Sequence, residues 1–274
     1  FSSLIITKSG GVSLALDLGH TRPHKVKALL DNNSNIIYGD DNLDLSKKRF
    51  HAKIFKSSFE EFRKKVNQNI SGLSNIEQNK YIPEISFCDS QNLGLADESI
   101  DLIITSPPYA SNAIDYMRAH KFSLVWFGYN ITDLTKRRNE YIGSEATSDY
   151  IFESLPEYTS EKIIEVSESN QNRGQVLKRY YSEMKKSLRE MYRVLKPGKA
   201  AIMVVGSSMM KGIDTETHIC LSEIGKSIGF CEPFIGIRQL DRNKRMLPAS
   251  KTKNLISQIQ KRMHEEYVIG FYKA

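Results

Sequence analysis

Cysteine is scarce in this chain of 274 residues: Cys88, Cys220 and Cys231 are the whole set. No two of them form a Cys-x-x-Cys pair, so neither a zinc site nor a disulfide framework is indicated. Three reduced thiols in a cytoplasmic protein are the plain reading. Long hydrophobic runs are lacking as well. No apolar stretch approaches the ~20 residues that a membrane span needs, so no membrane partner is expected. Leu4-Ile5-Ile6 is too short for a signal-peptide core. The chain begins at Phe1 rather than Met, and residues upstream are expected to have been removed or to be supplied elsewhere.

What is present is globular. Hydrophobic residues make up 40%, charged residues 26% and aromatics 9%, enough for a sizeable core and against disorder. Lys and Arg number 39 against 32 Asp and Glu, a net charge of +7. That excess fits a polyanionic partner and fits an inert surface equally well.

Periodicity divides the chain. Residues 46–70 read as one long amphipathic helix, with Ser46 as N-cap and Phe50, Ile54, Phe59, Phe62, Val66 and Ile70 on one stripe. Its other face is basic, either a solvated surface or one turned to nucleic acid. After a polar loop at 71–83 come short apolar runs. Ile85-Ser86-Phe87-Cys88 reads as a strand ending at Asp89, and residues 100–105 as a second, closed by Pro107-Pro108. A helix is expected at 112–128, with Trp126 in its core face, and a polar excursion at about 136–175. Leu177, Tyr181, Met184, Leu188, Met191 and Leu195 mark a strongly periodic helix stopped by Pro197-Gly198. A buried strand at 200–206, a helix at 216–228 and strands near 233–239 and 266–272 complete the pattern. Strands alternating with helices predict an α/β domain with a mostly parallel sheet, finished by an antiparallel C-terminal hairpin. Residues 1–84 are expected as an N-terminal segment and 85–274 as the core.

The chemistry concentrates at Thr105-Ser106-Pro107-Pro108-Tyr109. In a parallel sheet ligands bind beyond the carboxyl ends of strands, which is where this corner falls. Two prolines fix the backbone, so the Pro107 carbonyl has a set direction. Ser106 adds a hydroxyl acceptor and Tyr109 a flat face. An exocyclic amine on a planar base needs such a set, because its lone pair is delocalised into the ring. Accepting both N–H bonds at Ser106 Oγ and Pro107 O would draw the nitrogen towards tetrahedral geometry, and those bonds strengthen as positive charge develops. Stacking on Tyr109 is worth about 1–3 kcal/mol by analogy with single-strand binders. Taken alone, the same residues also make an ordinary turn.

Thr105 to Tyr109 resembles the catalytic motif of S-adenosylmethionine-dependent DNA amino-methyltransferases, an Asp, Asn or Ser followed by Pro-Pro and an aromatic residue. The Ser form is most frequent in enzymes making N4-methylcytosine and occurs also in N6-adenine enzymes. Phe87-Cys88-Asp89-Ser90, followed about ten residues later by Asp101-Leu-Ile-Ile, is similar to the acidic strand end that contacts the cofactor adenosine in that family. Leu188 to Gly198, then the strand to Gly206, resembles the helix and strand that follow the corner. Residues 113–120, Leu124-Val-Trp126, Tyr141 to Glu145 and His20-Thr-Arg-Pro-His24 are similar to a group of bacterial site-specific DNA methyltransferases. The likeness covers about residues 85–272.

It implies a Rossmann-like methyltransferase sheet, seven-stranded when complete, with S-adenosylmethionine as cofactor and DNA as partner. Ser106 and Pro107 would hold the amine, Pro108 would fix the corner and Tyr109 would stack the base. Asp89, Ser90 and Thr105 would meet the cofactor. Asn112, Asp115, Tyr116, Arg137, Arg138, Arg242 and Arg245 are candidate substrate contacts, although Asp115 and Tyr116 fit a helix cap equally and the arginines sit in basic clusters that suit phosphate. Cytosine N4 is slightly preferred over adenine N6. An RNA base methyltransferase and a non-catalytic DNA-binding subunit are the alternatives. C5-cytosine chemistry would need a nucleophilic Cys, typically after Pro, and no cysteine here follows one.

One expected feature is absent from the sequence. The family's glycine-rich turn, Phe-x-Gly-x-Gly after a first strand, lets the backbone approach the cofactor. Leu16-Asp17-Leu18-Gly19 starts like it but continues His-Thr-Arg-Pro, and Gly10-Gly11 lacks a preceding strand end. The first strands of the sheet are therefore expected upstream of Phe1 or on a partner chain. His20 and His24 are spaced for a metal pair on a helix, but Pro23 argues against the helix, and a hydrogen-bonded or phosphate-contacting role is preferred.

Overall fold

The structure is a computed structural model and describes residues 28–31, 33, 35–39, 52–54, 57–73, 83–110, 123–206, 208–239 and 265–274. Two compact units partition the chain, one of Phe1–Ile85 with Met117–Leu134, the other of Ser86–Tyr116 with Thr135–Ala274.

The first unit contains three short strands, β1 (Ala28–Leu30), β2 (Ile36–Gly39) and β3 (Ala52–Ile54), in the order β2-β1-β3. β1 runs antiparallel to β2 and parallel to β3. Asp31 organises the β1–β2 turn, its Oδ1 accepting from the amides of Asn33 and Asn35 at 2.8 Å each. Helix α1 (Ser58–Leu73) follows. This corrects the expected helix over 46–70. The strand at Ala52–Ile54 interrupts it, residues 46–51, 55 and 56 lie outside the described residues, and Ser57 stands at the start of α1, its hydroxyl and carbonyl meeting the amides of Glu60 and Glu61. Phe59, Phe62 and Ile70 of the apolar stripe are exposed.

In the second unit β4 (Ile100–Thr105), β5 (Leu195–Gly206), β8 (Phe234–Gln239) and β9 (Glu265–Lys273) form one sheet in the order β4-β5-β9-β8. β4 and β5 are parallel, while β9 runs antiparallel to both β5 and β8. The α/β class and the antiparallel C-terminal pair are as expected. β9 lies inside, between β5 and β8, so the parallel part of the described sheet is the pair β4–β5. A two-residue hairpin, β6 (Met209–Met210) and β7 (Ile213–Asp214), turns through Lys211 and Gly212, both at positive φ.

Helix α2 (Ile131–Arg138) lies across the division point of the units, and α3 (Glu157–Ser169), α4 (Gln171–Val194) and α5 (Thr217–Ile228) belong to the second. The polar stretch expected as an excursion therefore carries a helix. α3 buries Ile163 and Val166 in the main core, while its Ser and Glu residues, which hid it in the sequence, lie largely on its other faces. α4 is the longest element. Leu177, Tyr181, Met184, Leu188 and Met191 join Ala201, Met203 and Val205 of β5 and Ile269 and Phe271 of β9 in that core. Alternate residues of β5 are buried, as a strand covered by helices requires. α4 stops at Val194, and Pro197-Gly198 sit within the first residues of β5, where the β4–β5 register jumps from Ile100↔Leu195 to Leu102↔Ala200. Gly198 takes φ +71 in this irregularity.

Two further expectations are corrected. Residues 83–88 form no strand, and Ile85 and Phe87 are almost fully exposed, because no neighbouring strand among the described residues pairs with them. Trp126, expected in a core, is 73% exposed. Of the helix expected at 112–128, residues 123–126 are helical and 111–122 lie outside the described residues. The face of β4 away from the helices is open among the described residues, with Leu102 and Ile104 both more than half exposed.

Candidate active site

The Ser-Pro-Pro-Tyr corner leaves the carboxyl end of β4, beside the end of β5. It is not closed inside the core. Ser106 is exposed, Pro107, Pro108 and Tyr109 are half-buried, and Ala110 is buried. Among the described residues no hydrogen bond engages Ser106 Oγ or the Pro107 carbonyl.

Three neighbours fix the corner from behind. The Tyr109 ring lies on Gly206, the last residue of β5; a Cβ there would come within 2.6 Å of Tyr109 Cε2, so only glycine fits with the ring in this place. The Tyr109 hydroxyl donates to Glu266 Oε1 on β9 at 3.4 Å. Glu266 also pairs with Arg238 of β8. From α4, the buried Tyr180 donates its hydroxyl to the Pro108 carbonyl at 2.9 Å. Burial pushes the Tyr180 phenol far above its ordinary range, which keeps it a proton donor.

Asp89 and Ser90 lie in a tight loop. Asp89 is exposed, and its Oδ1 caps the loop by accepting from the Gln91 amide at 2.9 Å. Ser90 Oγ meets Ser187 Oγ of α4 at 3.2 Å, and the Leu93 amide donates to Glu190 of the same helix at 2.9 Å. Thr105, at the end of β4, is half-buried. Arg137 and Arg138 are exposed on the last turn of α2. Asn112, Asp115, Tyr116, Arg242 and Arg245 lie outside the described residues, as do His20, His24 and both partial glycine turns. Among the described residues no group of His, Cys, Asp and Glu could hold a metal ion. Nor is any described helix long and apolar enough to cross a membrane.

Sequence reasoning did not single out Tyr180, Gly206 or Glu266. Tyr180 falls one position off the apolar stripe of α4, where a tyrosine reads as core. Gly206 reads as a strand end. Glu266 was the one available signal, a carboxylate at the start of a largely apolar final strand.

An open groove of about 850 Å³ elsewhere in this unit is lined by Asp97, Glu98, Lys185, Arg189, Arg193 and Lys273 among others. It shares no lining residue with the corner. Its charges are taken up by one another: Arg193 pairs with Glu190 and Asp97, and Lys273 with Glu98 and two backbone carbonyls. It is a solvated ion network.

The corner thus places two acceptors, unengaged among the described residues, and an aromatic ring at a strand end of an α/β sheet with helices against one side. The profile of the DNA methylase family of N6/N4 type matches residues 100–273, and the chain belongs to that family. S-adenosylmethionine is the family's methyl donor.

Among curated relatives, the type II methyltransferase M.MvaI of Kocuria varians is 27% identical over 231 residues, covering 77% of this chain and 50% of that protein. The type II methyltransferase M.AvaI of a Nostoc strain is 26% identical over 148 residues, covering 47% of this chain and 30% of that protein. The chain thus spans half or less of the length of these relatives. A solved DNA modification methylase of Thermus thermophilus, complexed with S-adenosyl-L-methionine, is 16% identical with a TM-score of 0.32, covering 68% of this chain and 53% of that one.

For the cofactor, the described residues offer the exposed Asp89 carboxylate, while no glycine-rich turn of the Phe-x-Gly-x-Gly form occurs in the sequence.

Proposed function

We propose that the chain carries the base-binding and catalytic half of an enzyme that methylates the exocyclic amine of a base in DNA, with cytosine N4 preferred over adenine N6. The observation that carries this reading is the corner itself: among the described residues no hydrogen bond engages the Oγ of the exposed Ser106 or the O of the half-buried Pro107, beside a Tyr109 ring braced on Gly206. A base turned out of the duplex stacks on that ring, and its NH2 donates one N–H to each acceptor. The lone pair is then released from conjugation and points away from the protein backbone. S-adenosylmethionine, when bound, supplies an electrophilic methyl group. The amine gains positive charge as it bonds the methyl, and both acceptors stabilise that charge more in the transition state than in the ground state. The carbon–sulfur bond of the donor would break as the carbon–nitrogen bond forms, leaving the thioether, and one of the two gripped protons would then pass to water, so no covalent enzyme intermediate is required. The preference for cytosine rests on the serine at the first motif position.

The glycine-rich cofactor turn is supplied, in this proposal, by an upstream segment or a partner chain. Three findings support it: the turn is missing from the sequence, the outer face of β4 is open among the described residues, and the matched part covers only 50% and 30% of the two relatives. A parallel sheet is ordinarily covered on both faces. Titration calorimetry on the 274-residue chain should then show weak cofactor binding; micromolar affinity would overturn this part. The activity itself is tested by mass spectrometry of nucleosides from DNA and total RNA of cells expressing the intact gene. N4-methylcytosine in DNA is expected. N6-methyladenine would overturn the choice of base, and methylation confined to RNA would overturn the choice of substrate.

A further inference from the structure

We propose that Tyr180 is a positioning residue for the base-binding corner, its hydroxyl holding the Pro108 carbonyl so that Ser106, Pro107 and Tyr109 keep their directions. The inference rests on the reading of that corner given above.

The bend has an unusual need for such support. Proline lacks an N–H, so Pro107 and Pro108 contribute no backbone donor that could tie the turn to its surroundings. A hold from outside has to act through a carbonyl. The Pro107 carbonyl is left for substrate, and the Pro108 carbonyl is the one engaged, by Tyr180 Oη at 2.9 Å. The peptide unit from Pro108 to Tyr109 is planar, so fixing its oxygen also fixes the direction in which the Tyr109 Cα departs. The ring then falls on Gly206, with its hydroxyl on Glu266.

Tyr180 is itself immobilised. It is fully buried in the core cluster and packs edge-to-face on Tyr181, with ring centroids 5.3 Å apart. It also stands on the element that holds the Asp89 loop. Ser187 and Glu190, seven and ten residues further along α4, carry the contacts to Ser90 and to the Leu93 amide. At about 1.5 Å per residue, seven residues are two turns and roughly 10 Å along one helix face. One rigid helix therefore sets both the corner and the loop proposed to meet the cofactor.

The test pairs two adjacent tyrosines in the active protein made from the intact gene. Tyr181 is equally buried and donates to the Thr215 carbonyl at 2.9 Å rather than to a residue of the corner. Tyr180→Phe and Tyr181→Phe each remove one oxygen and one hydrogen bond to a backbone carbonyl, so both should lower the unfolding midpoint. Methyl incorporation into unmethylated DNA is measured well below the lower midpoint. Tyr180→Phe should lower kcat on the order of tenfold to hundredfold, the scale expected when reacting groups are displaced, with KM for DNA within about twofold. Tyr181→Phe should keep kcat within about twofold of the unaltered enzyme, as a purely structural bond would. Equal kcat in the two variants would overturn the inference. Ser106→Ala, assayed alongside, separates the two claims. If it is inactive while Tyr180→Phe is unimpaired, only the positioning role fails; if it is fully active, the reading of the corner fails with it.

Discussion

Adding a single methyl group at Gly206 should cripple catalysis while leaving the fold in place. A Cβ at this position would sit 2.6 Å from Tyr109 Cε2, 3.0 Å from Cδ2 and 3.3 Å from Cζ. Carbon atoms pack comfortably at about 3.5–4.0 Å, so the ring must retreat by roughly 0.9 Å. Its hydroxyl is held at Glu266 and its backbone follows two prolines, so the retreat is taken up at the face on which the base would stack. Overpacking of this kind is destabilising by about 1–3 kcal/mol. Displacing a reacting group by about 1 Å lowers rates up to roughly a hundredfold, equivalent to about 2.7 kcal/mol in the barrier. Gly206→Ala is therefore expected to lose between tenfold and a hundredfold in kcat, on that same scale, with a modest fall in melting temperature. The assay is methyl incorporation under saturating DNA and donor, with thermal unfolding in parallel. Gly236→Ala, on the same sheet, is the control, since a Cβ there would meet nothing closer than 3.8 Å. A Gly206→Ala enzyme with unaltered kcat would refute the claim that the Tyr109 ring must lie where it does.

Two other expectations concern the frame around the corner. Arg179 and Glu183 form an ion pair at 2.8 Å with side chains only 7% and 3% exposed; Arg179 also binds the carbonyls of Asn139 and Ala146, and Glu183 the Gly143 amide. Arg179→Met leaves a buried carboxylate unpaired and should lower stability by about 3–5 kcal/mol, read from denaturant unfolding; an unchanged midpoint would show that the pair holds nothing. His218 stacks on Tyr267 at 3.6 Å, and burial holds its imidazole below the ordinary value of 6.5 despite nearby Asp214, Glu216 and Glu265. Because the folded value is the lower one, this group's contribution is present above about pH 6.5 and is lost as pH falls through the depressed folded value. His218→Phe should therefore flatten part of the acid-side decline in melting temperature, and parallel pH curves for variant and parent would contradict this.

How much was legible in the sequence depended on whether local pattern and tertiary demand agreed. They agreed along α4 and β5, where every apolar position of the helix stripe proved buried and the strand alternates as a covered strand must. They agreed again at Gly229, which ends α5 at positive φ. They disagreed at 85–88, whose β-forming residues have no neighbour to pair with among the described residues, and at 52–54, where a short strand interrupts a helical period. α3 was hidden because only one narrow stripe of it is apolar. The Pro-Pro corner was visible as a motif, since its residue types are unusual together. Its supports were not. Tyr180, Gly206 and Glu266 reach it from positions 71 to 157 residues later in the chain, through contacts that only the assembled sheet creates.

The most direct test of the whole account is single-turnover methyl transfer by Ser106→Ala in the complete enzyme, with DNA and donor both saturating. If the hydroxyl grips one N–H of the reacting amine, removing it should slow the chemical step on the order of a hundredfold or more, the loss seen when one preorganised group facing a developing charge is deleted, while DNA affinity stays within a few-fold. Transfer at the parent rate would contradict the account, for then the corner would hold no amine.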